Sequence, residues 1–144
     1  MLTVALRFAE NFAPKTGTIA EHEKILSQYG SVWYGKLGTP LSQKVADEIL
    51  SNANPRILLI RSGKIERYWL YVSEITREKP EPYLIPEYYR NQSESFKTWF
   101  KVTRIALAER GISSYCTVHS SGRPLSEVSR HSLSPYFIID APDK

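Results

Sequence analysis

The chain has a single cysteine, Cys116, which excludes an internal disulfide and any zinc site built from several thiolates. No apolar run approaches the roughly 18 residues of a membrane span, so no membrane partner is expected. The opening Met1-Leu2-Thr3-Val4-Ala5-Leu6-Arg7 is short and lacks a basic leader. It does not read as a signal peptide, and a cytoplasmic location is expected. His22, His119 and His131 lack the spacing of metal ligands, and neither a P-loop nor a glycine-rich phosphate cradle occurs. No metal or cofactor is expected. Internal repeats and low-complexity tracts are missing too.

Catalytic constellations are equally thin. Cys116 and His119 fall on a short predicted strand, where they point to opposite faces and cannot pair as nucleophile and base. Glu66, Glu74 and Glu78 suggest a nuclease, but Glu78 and Lys79 are adjacent, without the intervening residue of the usual metal-nuclease signature. These features favour binding over turnover.

What the chain does have is ordinary in bulk and rich in rings. At 144 residues, 24% charged and 42% hydrophobic, it fits one soluble globular domain with a real core. A net charge of +4 is mildly basic and suits contact with a few phosphates. Three Trp, nine Tyr and five Phe matter more, because tyrosine offers stacking area and a hydrogen-bonding tip at low entropic cost.

Periodicity and punctuation place the elements. Thr3 to Phe8 predicts a first strand, followed by a loop marked by Pro14 and Gly17. Thr18-Ile19-Ala20-Glu21 has the form of a capping box opening a helix to Gln28; Ile19, Ile25 and Leu26 are its apolar stripe and Gly30 its stop. Tyr29-Gly30-Ser31-Val32-Trp33-Tyr34-Gly35-Lys36 then reads as a strand with Ser31, Trp33 and Gly35 on one face. Val32, Tyr34 and Lys36 take the other. Between Ser31 and Gly35, Trp33 either walls an open slot for a flat ligand or fills the core; the residues alone leave both open.

A second helix, Ser42 to Asn52, aligns Leu41, Val45, Ile49 and Leu50. Arg56 to Arg61 predicts a strand buried on both faces, returned by Ser62-Gly63-Lys64 into a strand from Ile65 to Ile75. Lys79 to Ser95 mixes Pro80, Pro82 and Pro86 with Tyr83, Tyr88 and Tyr89, a loop of the length and kind that usually carries function. Phe96 to Leu107 alternates as a strand, with Trp99 and Ile105 opposed to Phe100 and Val102. Trp69 and Trp99 read as structural. Tyr115 to His119 is a strand, Leu125 to Arg130 a short helix, and Tyr136 to Ile139 a last strand. The domain is expected over residues 1–140, with 141–144 opening a linker to a downstream domain. Six or seven strands with two early helices give an α+β domain on a strongly curved sheet or barrel.

The order of Gly30-Ser31-Val32-Trp33, the Leu41 to Leu50 helix, Ile57-Leu58-Leu59-Ile60, Ser62-Gly63-Lys64 and Trp99-Phe100-Lys101-Val102 resembles the PUA-like superfamily, specifically its YTH and EVE branches. Ser121-Gly122-Arg123-Pro124-Leu125 and Ser134-Pro135-Tyr136-Phe137 extend the resemblance, which covers about Thr3 to Ile139. It is also similar to the front domains of McrB-like modification-dependent restriction proteins. The resemblance implies a PUA-like curved β-barrel of about six strands with flanking helices and an aromatic cage for one modified base, flipped out of DNA. Flipping costs a few kcal/mol, recovered by stacking and by hydrogen bonds to the base edge. Trp33 matches the first cage tryptophan. The second belongs to the loop that here holds Tyr83, Tyr88 and Tyr89.

Ser31 and the backbone from Trp33 to Gly35 are the base-edge candidates, with Tyr34 and Asn11 beside them. Lys15, Lys36, Arg90, Arg123 and Arg130 are the phosphate candidates, each in a loop, at a strand end or near a glycine. Tyr88-Tyr89-Arg90 joins rings to a cation, as single-strand binders do. The implied role is a reader of methylated DNA that targets a restriction or defence nuclease or motor. The alternatives are a YTH-like RNA reader of N6-methyladenine and, from another class, a nucleotide-processing enzyme or small-molecule barrel lidded by the Tyr-rich loop.

Overall fold

A computed structural model describes residues 1–8, 17–61, 66–132 and 134–143, the side chains of residues 90–93 excepted. Strand β1 (Leu2–Arg7) is followed by helix α1 (Thr18–Tyr29), β2 (Val32–Leu37), α2 (Gln43–Leu50), β3 (Arg56–Ile60) and β4 (Arg67–Thr76). Two 3-10 segments, Pro82–Leu84 and Glu87–Ser95, lead into β5 (Phe96–Leu107). A short helix α3 (Ile112–Tyr115), β6 (Thr117–Val118), α4 (Leu125–Arg130) and β7 (Tyr136–Asp140) complete the domain.

The seven strands form one mixed sheet in the order β2-β5-β4-β3-β1-β7-β6. β3 and β4 make the expected hairpin, β1 lies parallel to β3, and the other described pairs are antiparallel. Every residue of β3 is buried: Ile57 to Ile60 as their apolar run predicts, and Arg56 with its guanidinium 4.4 Å from the Trp69 ring centroid. One face of the sheet carries Val4, Ile57, Leu59, Phe100 and Val102 against Leu41, Ala46 and Ile49 of α2 and its approach. The opposite face covers Leu58, Ile60 and Trp69 with Ile112, Cys116 and Leu125.

The expected barrel is a strongly curved but open sheet. β2 and β7 are separated by four strands in the sheet order, yet Lys36 Nζ lies 4.1 Å from the Tyr136 ring centroid. The sheet therefore curls until side chains from distant strands meet, while β2 and β6 remain its two ends. Bulges assist the curl. Tyr71 pairs with Arg104 but Val72 with Val102, so Thr103 is an extra residue, and Ser73 is skipped in the same way before Glu74. The bulge at Thr103 corrects the predicted alternation of β5: Ile105 packs on the same core as Phe100 and Val102.

Two local expectations also change. Gly17, with φ of 92°, occupies the N-cap of α1, and Thr18 is buried as the first helical residue, so the capping box is displaced. Tyr115 ends α3, and the strand expected from it starts at Thr117. After β7, Ala141 N–H donates to the Met1 carbonyl at 2.8 Å, and Arg56 donates to the Pro142 carbonyl at 3.0 Å. Gly30, by contrast, caps α1 as expected, in the left-handed region with its N–H donating to Leu26 at 2.8 Å.

Candidate nucleic-acid interface

β2 lies at one end of the sheet, and its two faces separate as the alternation requires. Val32 and Tyr34 enter the main core, while Trp33 joins a second cluster with Leu84, Ile85, Tyr89, Phe96 and Trp99. The proline-rich stretch after β4 builds that cluster. Two tight 3-10 segments, closed by hydrogen bonds from Ile85 to Pro82 at 3.2 Å and from Tyr89 to Pro86 at 2.9 Å, turn Leu84, Ile85 and Tyr89 inward. Ring centroids of Tyr89 and Phe96 are 4.6 Å apart, and those of Phe96 and Trp99 are 5.1 Å apart.

This packing removes the open slot expected beside Trp33. The indole is 3% exposed, and the space left by Gly35 is taken by the Phe96 ring, whose Cγ would stand 2.6 Å from an added Cβ. Trp33 keeps one polar link to the surface. Its Nε1–H donates to Glu81 Oε2 at 3.0 Å, and Lys101 Nζ sits 5.8 Å from its ring centroid. A hydrogen bond from its own backbone N–H, then the indole N–H and the charge of Lys101, hold the Glu81 carboxyl below its usual range.

The exposed rings lie at the rim of this cluster. Tyr83 is 53% exposed and Tyr29, at the end of α1, 47%. Their centroids are 5.2 Å apart at an interplanar angle of 75°, an edge-to-face pair open to solvent. Ser31 is half-buried two residues after Tyr29. Beneath the rim, His22 of α1 is buried between Tyr34 and Tyr89, with ring centroids at 5.3 and 5.1 Å. A neutral imidazole must donate to a carbonyl, so Nδ1–H is assigned to the Thr18 oxygen at 2.8 Å. Its Nε2 has no hydrogen-bond partner among the described residues, and burial pushes the His22 pKa down to about 4.

Of the predicted base-binding residues, Trp33, Tyr88 and Tyr89 come together in or against one cluster, with Tyr83 at its edge. Tyr34 faces the main core and reaches Tyr89 only at 6.5 Å between centroids. Asn11 and Lys15 lie outside the described residues, as does the side chain of Arg90. Lys36 is not the exposed phosphate contact expected of it: it is buried, its ammonium donates to the carbonyls of Leu37 and Thr39, and desolvation lowers its pKa. Arg123 is exposed and paired with Glu127. Arg123 precedes α4 and Arg130 ends it; α4 packs on α3 and β6 and joins a different cluster through Leu125 and Val128, so neither arginine joins the Trp33 cluster.

Sequence reasoning missed Glu81, Lys101, Tyr29 and His22. Glu81 precedes Trp33's covering turn by one residue but lies 48 residues from its hydrogen-bond partner, and no spacing rule joins such a pair. The sequence pattern places Tyr29 at the start of the Trp33 strand stretch, whereas it is the last residue of α1.

A family model for Pua-like domains matches residues 4–141, and the chain belongs to that family. PUA-like domains generally bind nucleic acids. The match reaches the superfamily without choosing a YTH or EVE branch. Comparisons with curated proteins and with solved structures returned no significant match. Among the described residues, no helix is long and apolar enough to cross a membrane.

Proposed function

We propose that this domain binds nucleic acid and takes one base, a methylated one extruded from DNA, onto the exposed Tyr83–Tyr29 pair. That solvent-open ring pair, its Tyr83 two residues along the chain from a carboxylate held by the Trp33 indole, is the observation that carries the reading. Trp33 acts as the packed floor of the site, where the open cage wall was expected. Each stacked ring contributes on the order of 1–3 kcal/mol, and a buried methyl adds about 0.8 kcal/mol, so a base and its methyl group together give a useful preference. The role is binding, delivering a separate nuclease or motor. Cys116 supports this over nucleophilic chemistry: burial pushes its thiol up to about 11, which keeps it protonated.

Titration of the chain with methylated and plain single-stranded RNA, single-stranded DNA and duplex DNA tests the reading. Tyr83→Ala is expected to weaken binding about tenfold, the loss of one stacking partner, without lowering the melting temperature. Tighter binding of methylated RNA than of methylated DNA would transfer the role to an RNA reader. Equal affinity of Tyr83→Ala and the parent would remove the site. Trp33→Ala is a poor probe, since truncating a packed indole costs about 3–5 kcal/mol of stability by itself.

A further inference from the structure

At this rim, the chemistry of Glu81 goes beyond what stacking uses. Its side chain is exposed yet held, because Oε2 accepts from the Trp33 indole at 3.0 Å. Its backbone is also fixed, since the Leu84 N–H donates to the Glu81 carbonyl at 3.1 Å and closes the turn that carries Tyr83. The carboxylate accepts only; with the indole N–H and its own backbone N–H bonded, about two of its four lone-pair sites remain for a ligand. The hydrogen bonds that hold the carboxyl below its usual range keep it ionised at neutral pH. Lys101 Nζ sits 5.8 Å from the centroid of the same indole and its charge acts on the carboxyl, so one fixed acceptor and one cation share the site.

We propose that Glu81 reads the edge of the base stacked on Tyr83 and favours bases with an exocyclic amino group (cytosine, adenine or guanine) over thymine and uracil. This rests on the nucleic-acid reading above and names its ligand class. An amino group donates to the carboxylate, as carboxylates accept from the amino group of cytosine in duplex readout. Thymine and uracil offer one N–H between two carbonyls, so a fixed carboxylate meets oxygen lone pairs on both sides of the only donor. A single methyl on the amino group leaves one N–H and stays compatible; two methyls remove the donor. Trp33 is here a positioning residue, aiming the carboxylate through its N–H.

The test uses the whole chain and short single strands, which present bases without the cost of flipping. Fluorescence anisotropy should show oligo-dC binding about tenfold more tightly than oligo-dT, the discrimination of one good base-edge contact. Glu81→Gln, at an exposed position, should leave the melting temperature unchanged and bring the two affinities together, because an amide donates as well as accepts. Trp33→Phe keeps a ring in the core but frees the carboxylate, and should reduce the preference while retaining oligo-dT binding. A preference that survives Glu81→Gln, or equal binding of both oligomers by the parent chain, overturns the role of Glu81 and leaves the stacking surface intact. Absence of binding to any strand overturns both.

Discussion

Trp33 and His22 show how one side chain's setting decides its chemistry. The indole stands on the predicted strand face, but its exposure was decided by Leu84, Ile85, Tyr89 and Phe96, which close over it. His22 is neutral for a related reason. It is buried among rings, with one nitrogen bonded to Thr18 and the other without a partner among the described residues, and protonation there would place a charge in an apolar setting. The unfolded chain takes up this proton near pH 6.5, the folded domain only near 4. Stability from this residue is therefore complete above about pH 6.5 and declines as the pH falls through the window toward 4. Melting temperature measured against pH should show that decline, and His22→Phe should flatten it.

At the scale of elements, β2 and the two 3-10 segments form one unit. The prolines that disqualified residues 79–95 as a strand or long helix are what allow two tight turns to seat three apolar side chains on Trp33. The unit depends on Gly35, because only a residue without Cβ lets the Phe96 ring approach the β2 backbone so closely. Gly35→Ala is expected to destabilise the domain by about 1–3 kcal/mol through overpacking, measured by urea denaturation. Combining it with Phe96→Leu should recover part of that loss.

For the whole molecule, the rim of Tyr29, Tyr83 and Glu81 belongs to the Trp33 cluster, whereas α4 packs through Leu125 and Val128 on the separate cluster of Leu58, Trp69 and Cys116. Nucleic-acid affinity should accordingly be insensitive to Arg123→Ala and Arg130→Ala, while Tyr83→Ala weakens it; binding isotherms at fixed salt compare the three. Much of this architecture was legible in the sequence. The β3–β4 hairpin, α2 with its Leu41 and Ile49 face, the length of β5 and the extent of α4 all follow from local periodicity. The bulge at Thr103 was not, because an extra residue in a ladder is set by the neighbouring strand's register.

By itself the sequence determined where most helices and strands lie, which faces of β2 separate and which superfamily the domain joins, since these follow from residue order and local periodicity. Only the tertiary structure decided that Trp33 is a floor rather than an open wall, that Lys36 is interior, and that Glu81 stands at the rim with Tyr29 and Tyr83. Each of those outcomes depends on groups brought together from separate elements, and a side chain's exposure is fixed by what packs on it, which local pattern does not encode.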